Sequence, residues 1–322
     1  MNFLVFGASM ALVAFLIVNV LVSAAVIAVA PRLTTRLGSL SPQTRSSALL
    51  TLRFLPVLAA GAVAGGLVMP AYLLLEPANA GERLSPTLVA LCLLTFALVL
   101  GGLGRGLRAH GATSALVGRW RRSRERVLLP DSSVPAYRVR DAFPAFAVVG
   151  IFRPRIYVSA QVLDALTPSE LAAGCAHEVA HLVGGDNLKR LLMRSCPDAL
   201  ALLATSRELE REWARAAEAA ADDRAARGGE GVALALAGGL VKVARLAPAR
   251  VDALPMSALH DGSDVDERVR RLVAMEDGAT RAAEPRAWLP FLAAVPLAAA
   301  LLVAYGLPAV HQLIETVARL LD

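Results

Sequence analysis

The segment 177–181, with the sequence His-Glu-Val-Ala-His, combines the residue types that bind and use a catalytic zinc ion. Residues four apart in an α-helix leave the same face about one turn apart, so the imidazoles of His177 and His181 can bind one metal ion. Glu178 then points beside the metal, where it can accept a proton from water. The pattern H-E-x-x-H arises by chance in roughly one chain in a hundred of this length, so the surrounding elements must support it.

A capped helix is predicted to carry this motif. Thr167 can cap the helix, Pro168 suits its first position, and Glu170 can close a capping box. The helix should run to about Val183 and end at the glycine pair 184–185. These local signals make a functional motif much more probable than a chance match.

A catalytic zinc ion needs a third protein ligand and an open position. In the pattern H-E-x-x-H-x-x-G-x-x-H/D this ligand falls at Asn187, a poor ligand, and Asp186 is one residue out of register. The alternative is Glu218, which begins a Glu-Ala-Ala-Ala-Asp run whose small residues permit close helix packing. We expect Glu218 to be the third ligand. Asp222, one turn further on, can accept the outer N–H of a ligand histidine and so orient it.

Short segments rich in β-branched and aromatic residues precede the motif helix, at 137–139, 145–149 and 156–159, with a break at Gly150. They predict a small β-hairpin or sheet. The segment 145–149 is open to two interpretations: a strand that only covers the core, or an edge strand that pairs with an extended peptide. Further helices are predicted at 186–195, 198–227 and 230–247, followed by a mixed polar segment at 248–280.

The composition indicates a membrane protein, because 56% of the 322 residues are hydrophobic and only 19% are charged. So much apolar surface exceeds what one aqueous core can bury, which disfavours a wholly soluble protein. The high apolar content and low charge together exclude a disordered chain. Four stretches without Asp, Glu, Lys or Arg are long enough to cross ~30 Å of hydrocarbon. The predicted domains are three transmembrane helices in 1–104 (about 3–31, 54–75 and 84–104), an insert at 105–286 that carries the motif, and a fourth transmembrane helix (about 287–310) with a short tail in 287–322.

Charge in the connecting segments predicts the orientation, because cytoplasmic loops carry an excess of Arg and Lys. Segment 32–53 carries four Arg and no acid, whereas segment 76–83 carries two Glu and one Arg. The first loop and residues 105–286 are therefore expected in the cytoplasm, and the second loop outside. This describes a multi-pass protein of the cell membrane, embedded in the lipid bilayer, with both termini outside.

The same composition narrows the classes of partner. Of the 33 basic residues, 31 are Arg, and aromatic residues make up only 5%, so the pattern that grips nucleic acid is missing. No predicted span contains a charged residue, which argues against a transporter. Gly61 and Gly65 form a G-x-x-x-G step in the second span, which permits either packing within the chain or a homo-oligomer. The sequence leaves both possibilities open.

Several of these segments together resemble a known protein family. Their order resembles that of the BlaR/MecR antirepressor family of integral membrane zinc metallopeptidases, which are relatives of HtpX-like proteases. The resemblance covers the layout of most of residues 1–305, and its specific matches lie within 143–222. The matching segments are the three N-terminal spans, a basic linker, Gly-Ile-Phe-Arg-Pro-Arg-Ile (150–156), Leu-Thr-Pro-Ser-Glu-Leu (166–171), the motif at 177–181 with Asp186 following, and Glu-Ala-Ala-Ala-Asp (218–222).

The resemblance implies a gluzincin-type endopeptidase with a mainly α fold, in which an α+β protease domain with a small sheet accompanies the membrane helices. His177, His181 and Glu218 would bind zinc and Glu178 would act as the base. A transcriptional repressor is one candidate substrate. The antirepressors carry a large extracellular β-lactam sensor after the fourth span, where this chain has only about a dozen residues. Antibiotic sensing is therefore not expected.

Two functions follow from the sequence. The first is a membrane-anchored zinc-dependent endopeptidase that hydrolyses peptide bonds of a cytoplasmic or membrane-proximal protein in regulatory signalling. The second is a non-catalytic membrane signalling or scaffold protein with a decayed protease fold. The presence of both motif histidines, Glu178 and Glu218 together favours the first.

Overall fold

Long charge-free stretches form three long helices in the N-terminal third of the chain. The computed structural model describes residues 3–76, 85–130, 132–140, 146–246 and 265–276, together with Gln312 and Thr316. Three helices in this part are long and apolar enough to cross a membrane, and each overlaps one of the first three predicted spans. The fourth predicted span, 287–310, lies outside the described residues. The three are α1 (Phe3–Leu37), α2 (Pro42–Val63) continued through a π-helical turn (Ala64–Val68) into α3 (Met69–Leu75), and α4 (Pro86–Arg122).

These helices extend beyond the predicted spans. α2 begins at Pro42 because the Ser41 hydroxyl caps it, accepting a hydrogen bond from the Thr44 amide. α4 runs without interruption across the predicted domain boundary at 104/105 to Arg122. The third apolar helix therefore continues without a break into the segment that precedes the sheet.

The predicted hairpin is confirmed and forms part of a four-stranded sheet. The strands are β1 (Glu125–Val127), β2 (Ala136–Val139), β3 (Phe146–Val149) and β4 (Arg155–Ser159). Their order is β1-β2-β4-β3, so β3 lies at an edge. β3 and β4 form an antiparallel hairpin that turns at Gly150, whose φ of +108° favours glycine. The parallel pairing of β2 with β4 was not predicted.

The helices after the sheet follow the predicted breaks closely. They are α5 (Ala160–Ala165), α6 (Pro168–Gly184), α7 (Asp186–Ser195), a 3-10 turn (Ala199–Leu202), α8 (Ala204–Ala226), α9 (Val232–Leu246) and α10 (Val265–Glu276). The capping box at Thr167 is present, and α6 ends at Gly185 in the left-handed conformation, as predicted.

Two helices differ from the prediction. α8 begins at Ala204 rather than at Asp198, because the Asp198 carboxylate accepts a hydrogen bond from the Ala201 amide, 2.7 Å away, and caps the 3-10 turn instead. α10 lies in the segment that sequence patterning described only as mixed and polar. Its buried face includes an arginine, Arg268, beside Leu272, which weakens the apolar pattern of a helix.

Candidate metal centre

Helices α6 and α8 pack together and bring three metal-binding side chains to one point. The Nε2 atoms of His177 and His181 lie 3.1 Å apart. Each Nε2 atom is 3.4 Å from one carboxylate oxygen of Glu218. The ligand atoms of all three residues lie within 4.8 Å of one another, so this group can hold a metal ion.

The outer ring nitrogens of both histidines face carboxylates. His181 Nδ1 is hydrogen-bonded to Asp186 at 2.7 Å. His177 Nδ1 lies 3.0 Å from Asp222 Oδ1, a close contact that is poorly aligned for a hydrogen bond. Carboxylates in these positions hold the rings with Nε2 towards a metal.

Asp186 supports a histidine and is not placed as a metal ligand. It lies at the start of α7, directly after the left-handed Gly185, and faces the outer nitrogen of His181. Sequence reasoning considered Asp186 only as an out-of-register ligand. The turn at 184–185 is the signal that could have revealed this contact, because it returns the chain towards the end of α6.

Arg268 of α10 is a further residue of the site that the sequence did not reveal. It is 7% exposed and donates two hydrogen bonds to Asp222, at 2.7 and 2.8 Å. Its third nitrogen lies 3.3 Å from Glu218. One buried guanidinium thus compensates the charge of two carboxylates that belong to α8.

The pKa values of the cluster follow from these contacts. Burial by itself raises the pKa of Glu218, but the two histidines and Arg268 outweigh it and hold this pKa well below the usual carboxyl value. Burial also opposes ionisation of Asp222, and Arg268 reverses this and keeps the pKa of Asp222 below its usual range. Burial lowers the pKa of His181, but Glu218 and Asp186 raise it overall to about 10. Both carboxylates are therefore ionised at neutral pH.

Glu178 lies on the face of α6 that meets the sheet. It is 1% exposed, and its Oε2 accepts a hydrogen bond of 2.6 Å from the Val148 amide of β3. Burial raises the pKa of Glu178, partly opposed by His181 and His177. A carboxylate with a raised pKa is a stronger base near neutral pH.

The edge strand β3 presents the backbone of Val148 towards the site. Alternate residues of an antiparallel pair face the partner strand. The N–H of Val148 donates to Glu178 and its C=O accepts from Asn187 Nδ2 at 3.1 Å, so Val148 faces away from β4 and Ala147 faces towards it. Asn187 also donates to Gly150 O at 3.3 Å, so this residue ties α7 to the strand.

The donor set fits a zinc ion. Two imidazole nitrogens and one carboxylate are three protein ligands of a kind found at catalytic zinc sites, which leave a fourth position open. Carboxylates beside the outer nitrogens are the usual support for such histidines. His177, His181 and Glu218 are the residues that would hold the ion.

Comparison with known proteins agrees with this arrangement. Residues 125–276 match the sequence model of peptidase family M48. The match includes the sheet, α6, α8 and α10, so this part of the chain is similar to the M48 peptidase domain, which is typical of metalloproteases. No curated protein and no solved structure matches the chain significantly. The narrower resemblance to BlaR/MecR antirepressors and HtpX-like proteases stays a prediction.

Proposed function

We propose that the protein is a membrane-anchored, zinc-dependent endopeptidase. The observation that carries this proposal is the convergence of His177, His181 and Glu218, with Glu178 one residue from the first ligand. The M48 peptidase domain and the three apolar helices support the same function. The cleaved protein would be cytoplasmic or membrane-proximal, and a regulatory protein such as a transcriptional repressor is the substrate class that we favour.

The side chains divide the chemistry between them. When bound, Zn²⁺ would polarise the scissile carbonyl group and lower the pKa of a water molecule to about 7. Glu178 takes the proton of that water at its carboxylate and delivers it to the leaving amine. Asp186 and Asp222 hold the two histidine rings, and Arg268 holds Asp222 in turn.

The edge strand β3 is the candidate site for the backbone of an extended substrate. An added strand would pair with the C=O of Val148, which faces away from β4. Substrate would have to replace Asn187 at this C=O, whereas the N–H of Val148 keeps its bond to Glu178. Val148→Pro removes the N–H that holds Glu178 and disturbs the backbone that would pair with substrate, so it should lower kcat and raise KM with zinc retained, since proline is tolerated at an edge position. Ala147→Pro is the contrast, because it removes an N–H that faces β4 and should destabilise the sheet. Unchanged turnover in Val148→Pro would mean that the strand only covers the core.

The central experiment compares the wild-type chain with Glu178→Gln. Both are purified in detergent, their zinc content is measured, and hydrolysis of an unfolded protein such as casein is followed. The substitution keeps the shape and leaves all three ligands in place, so zinc should remain bound. Loss of the base should reduce turnover by roughly 10²- to 10⁴-fold. A wild-type chain that binds zinc but cleaves nothing would favour the scaffold function instead.

The proposed orientation places the protease domain in the cytoplasm and both termini outside. It is supported by the arginine-rich segments 32–53 and 105–126. Reporter fusions at positions 40 and 270 should read cytoplasmic, and a fusion at position 79 should read external. An external signal at 270 would exclude both this orientation and a cytoplasmic substrate.

A homo-oligomer through the second membrane helix remains a proposal. Side-chain atoms added at Gly61 or Gly65 would meet nothing within 4 Å in the part of the chain that the structure describes. This G-x-x-x-G step is therefore not used for close packing among the described residues. Crosslinking of the full chain in membranes, with Gly61→Leu as the variant, would test the association.

A further inference from the structure

The segment that joins α7 to α8, residues 196–203 (hereafter the connector), contacts all three membrane helices. The Asn19 side chain of α1 is fully buried, accepts from the Ala199 amide at 3.0 Å, and donates to Pro197 O at 3.3 Å. From α4, Arg105 donates to Cys196 O at 2.7 Å. The connector is thus held by specific polar contacts and not only by apolar packing.

Arg53 of α2 makes the most extensive of these contacts. Its side chain is 1% exposed and forms an ion pair of 2.6 Å with Asp198, itself fully buried. The same guanidinium donates to Met193 O at 2.9 Å and contacts Glu210 at 3.4 Å. One side chain therefore fastens the end of α7, the connector and the start of α8.

If the hydrocarbon layer begins at Phe3, the contact of Arg53 with the connector lies towards the far edge of that layer. Counted from Phe3 at 1.5 Å per residue, Asn19 lies about 24 Å along α1, within reach of the end of a ~30 Å hydrocarbon layer. A buried charge at this depth is costly unless it is fully paired, and such charges commonly mark a function. Arg53 has that full set of partners.

The connector links the elements that build the metal centre. Glu210 and Glu218 belong to the same uninterrupted helix, eight residues or about 12 Å apart. On α7, Arg190 lies 3.4 Å from Glu218 and stacks over Trp213 of α8, with its guanidinium carbon 5.3 Å from the ring centre. The placement of α7 and α8 at the connector therefore fixes where Glu218 lies relative to α6.

We propose that Arg53 is a positioning residue for the metal centre. By fastening the connector to α2, it sets the register of α7 against α8 and so holds Glu218 opposite the two histidines. The arrangement of the membrane helices then controls the geometry of the zinc ligands, although no ligand lies on those helices. This inference rests on the proposed role of Glu218 as a zinc ligand.

The chain offers a matched control for this role. Arg45 also joins α2 to α8, through an ion pair of 2.5 Å with Glu212. These two side chains are 28% and 25% exposed, and no hydrogen bond or ion pair joins Arg45 to the connector among the described residues. Arg45→Met therefore removes an α2–α8 ion pair without releasing the connector.

The test measures the zinc dissociation constant of the full chain in detergent by competition with a chelator. The variants are Arg53→Met, Arg53→Lys and Arg45→Met, each with its thermal unfolding recorded in the metal-free form. The visible spectrum of bound Co²⁺ reports the ligand geometry separately from the amount of folded protein. Arg53→Lys keeps a positive charge beside Asp198 and so should fold even if Arg53→Met does not, but a single ammonium cannot reproduce the planar set of contacts.

Arg53→Met should weaken zinc binding by about tenfold or more, the range expected when support of a ligand is lost. Arg53→Lys should show a smaller loss in the same direction, with a changed Co²⁺ spectrum, and Arg45→Met should stay within about twofold of the wild type. If the Arg53 variants unfold at lower temperature but bind zinc and Co²⁺ as the wild type does, Arg53 is only a structural anchor and the inference is wrong. If the wild-type chain shows no zinc binding that depends on His177, the proposed function fails and this inference fails with it.

Discussion

Gly174→Ala tests whether the distance between α6 and β3 is set for catalysis. A Cβ atom at Gly174 would lie 2.5 Å from Cε1 and 3.1 Å from Cζ of Phe146. Ordinary contacts begin at 3.4 Å, so the ring and its strand must move by about 0.9 Å, the difference between 3.4 and 2.5 Å. Phe146 is only 1% exposed, which leaves it little space to rotate away.

This displacement acts on the proposed base. Gly174 and Glu178 are one turn apart on the face of α6 that meets β3, and Val148 lies two residues after Phe146 on that strand. A shift of 0.9 Å would stretch the 2.6 Å contact between Glu178 and the Val148 amide to about 3.5 Å, the limit of a hydrogen bond. A misplacement of about 1 Å can cost on the order of 10²-fold in rate, so kcat should fall by about this factor. Zinc content should not change, because the atoms nearest to the added Cβ all belong to Phe146 and to none of the three proposed ligands.

The effect on stability has two opposing parts. Overpacking of the core costs about 1–3 kcal/mol, and replacing a helical glycine with alanine regains about 1 kcal/mol. The free energy of unfolding should therefore fall by roughly 0–2 kcal/mol, which leaves the protein folded for the assay.

Gly111→Ala is the matched control, because it places the same methyl group on α4 with nothing within 4 Å. It should stabilise the chain by about 0.5–1 kcal/mol and leave turnover unchanged. Casein hydrolysis, zinc content and unfolding would be measured for both variants. Wild-type turnover in Gly174→Ala would refute the idea that the contact between α6 and β3 positions the base.

Three further outcomes are expected at the metal centre. Glu218→Ala should lower zinc content and activity together, whereas Asp186→Ala should keep zinc with an affinity weakened roughly 10- to 100-fold; loss of zinc only in the second variant would overturn the ligand assignment. Arg268→Gln leaves Asp222 buried without its charged partner, so denaturant titration should show a loss of about 3–5 kcal/mol in unfolding free energy, and a wild-type curve would contradict this reasoning. Because the pKa of His181 is raised from 6.5 to about 10, zinc must displace a proton, and zinc affinity should rise by up to about tenfold per pH unit across that interval. The same raised pKa stabilises the metal-free fold fully below pH 6.5, and this contribution is lost as the pH rises towards 10. An affinity that does not change with pH would show that His181 is a neutral imidazole in the metal-free state.

The predictable parts of the fold are those that depend on local sequence. The start of α6 follows from the capping box at Thr167, and its end follows from the glycine pair at 184–185. The spacing of the motif on this helix then brings the two imidazoles together without any knowledge of the rest of the chain. Placing Glu218 opposite them needed one additional idea, that a run of alanines lets two helices approach closely.

Other parts of the site depend on packing between distant segments. Arg268 lies 46 residues from Asp222, and no local pattern links them. The membrane helices give a similar example, since the sequence contains two G-x-x-x-G steps. The predicted step, Gly61 and Gly65, has no close neighbour among the described residues. In the second step, Gly102 and Gly106, a Cβ added at Gly102 would lie 2.6 Å from Ser195 O at the end of α7 and 3.1 Å from Cys196 O of the connector. Two glycine pairs with identical spacing thus differ in packing, because the segment that lies opposite decides whether a small residue is required.

Hydropathy also fails to separate residues that face lipid from those that face protein. At 1.5 Å per residue the 35 residues of α1 extend about 52 Å, well beyond a ~30 Å hydrocarbon layer. Part of α1 must therefore lie outside the bilayer. The C-terminal half of α1 shares a buried cluster with Trp213 of α8 through Val26 and Ala30, whereas Leu21 is 64% exposed. Because lipid and a protein core are both apolar environments, hydropathy placed all three of these residues in the predicted span 3–31. The helix that carries Glu218 therefore packs against the long apolar helices α1 and α2. Because of this shared core and the contacts of Arg53, we expect the metal centre to respond to changes in those helices.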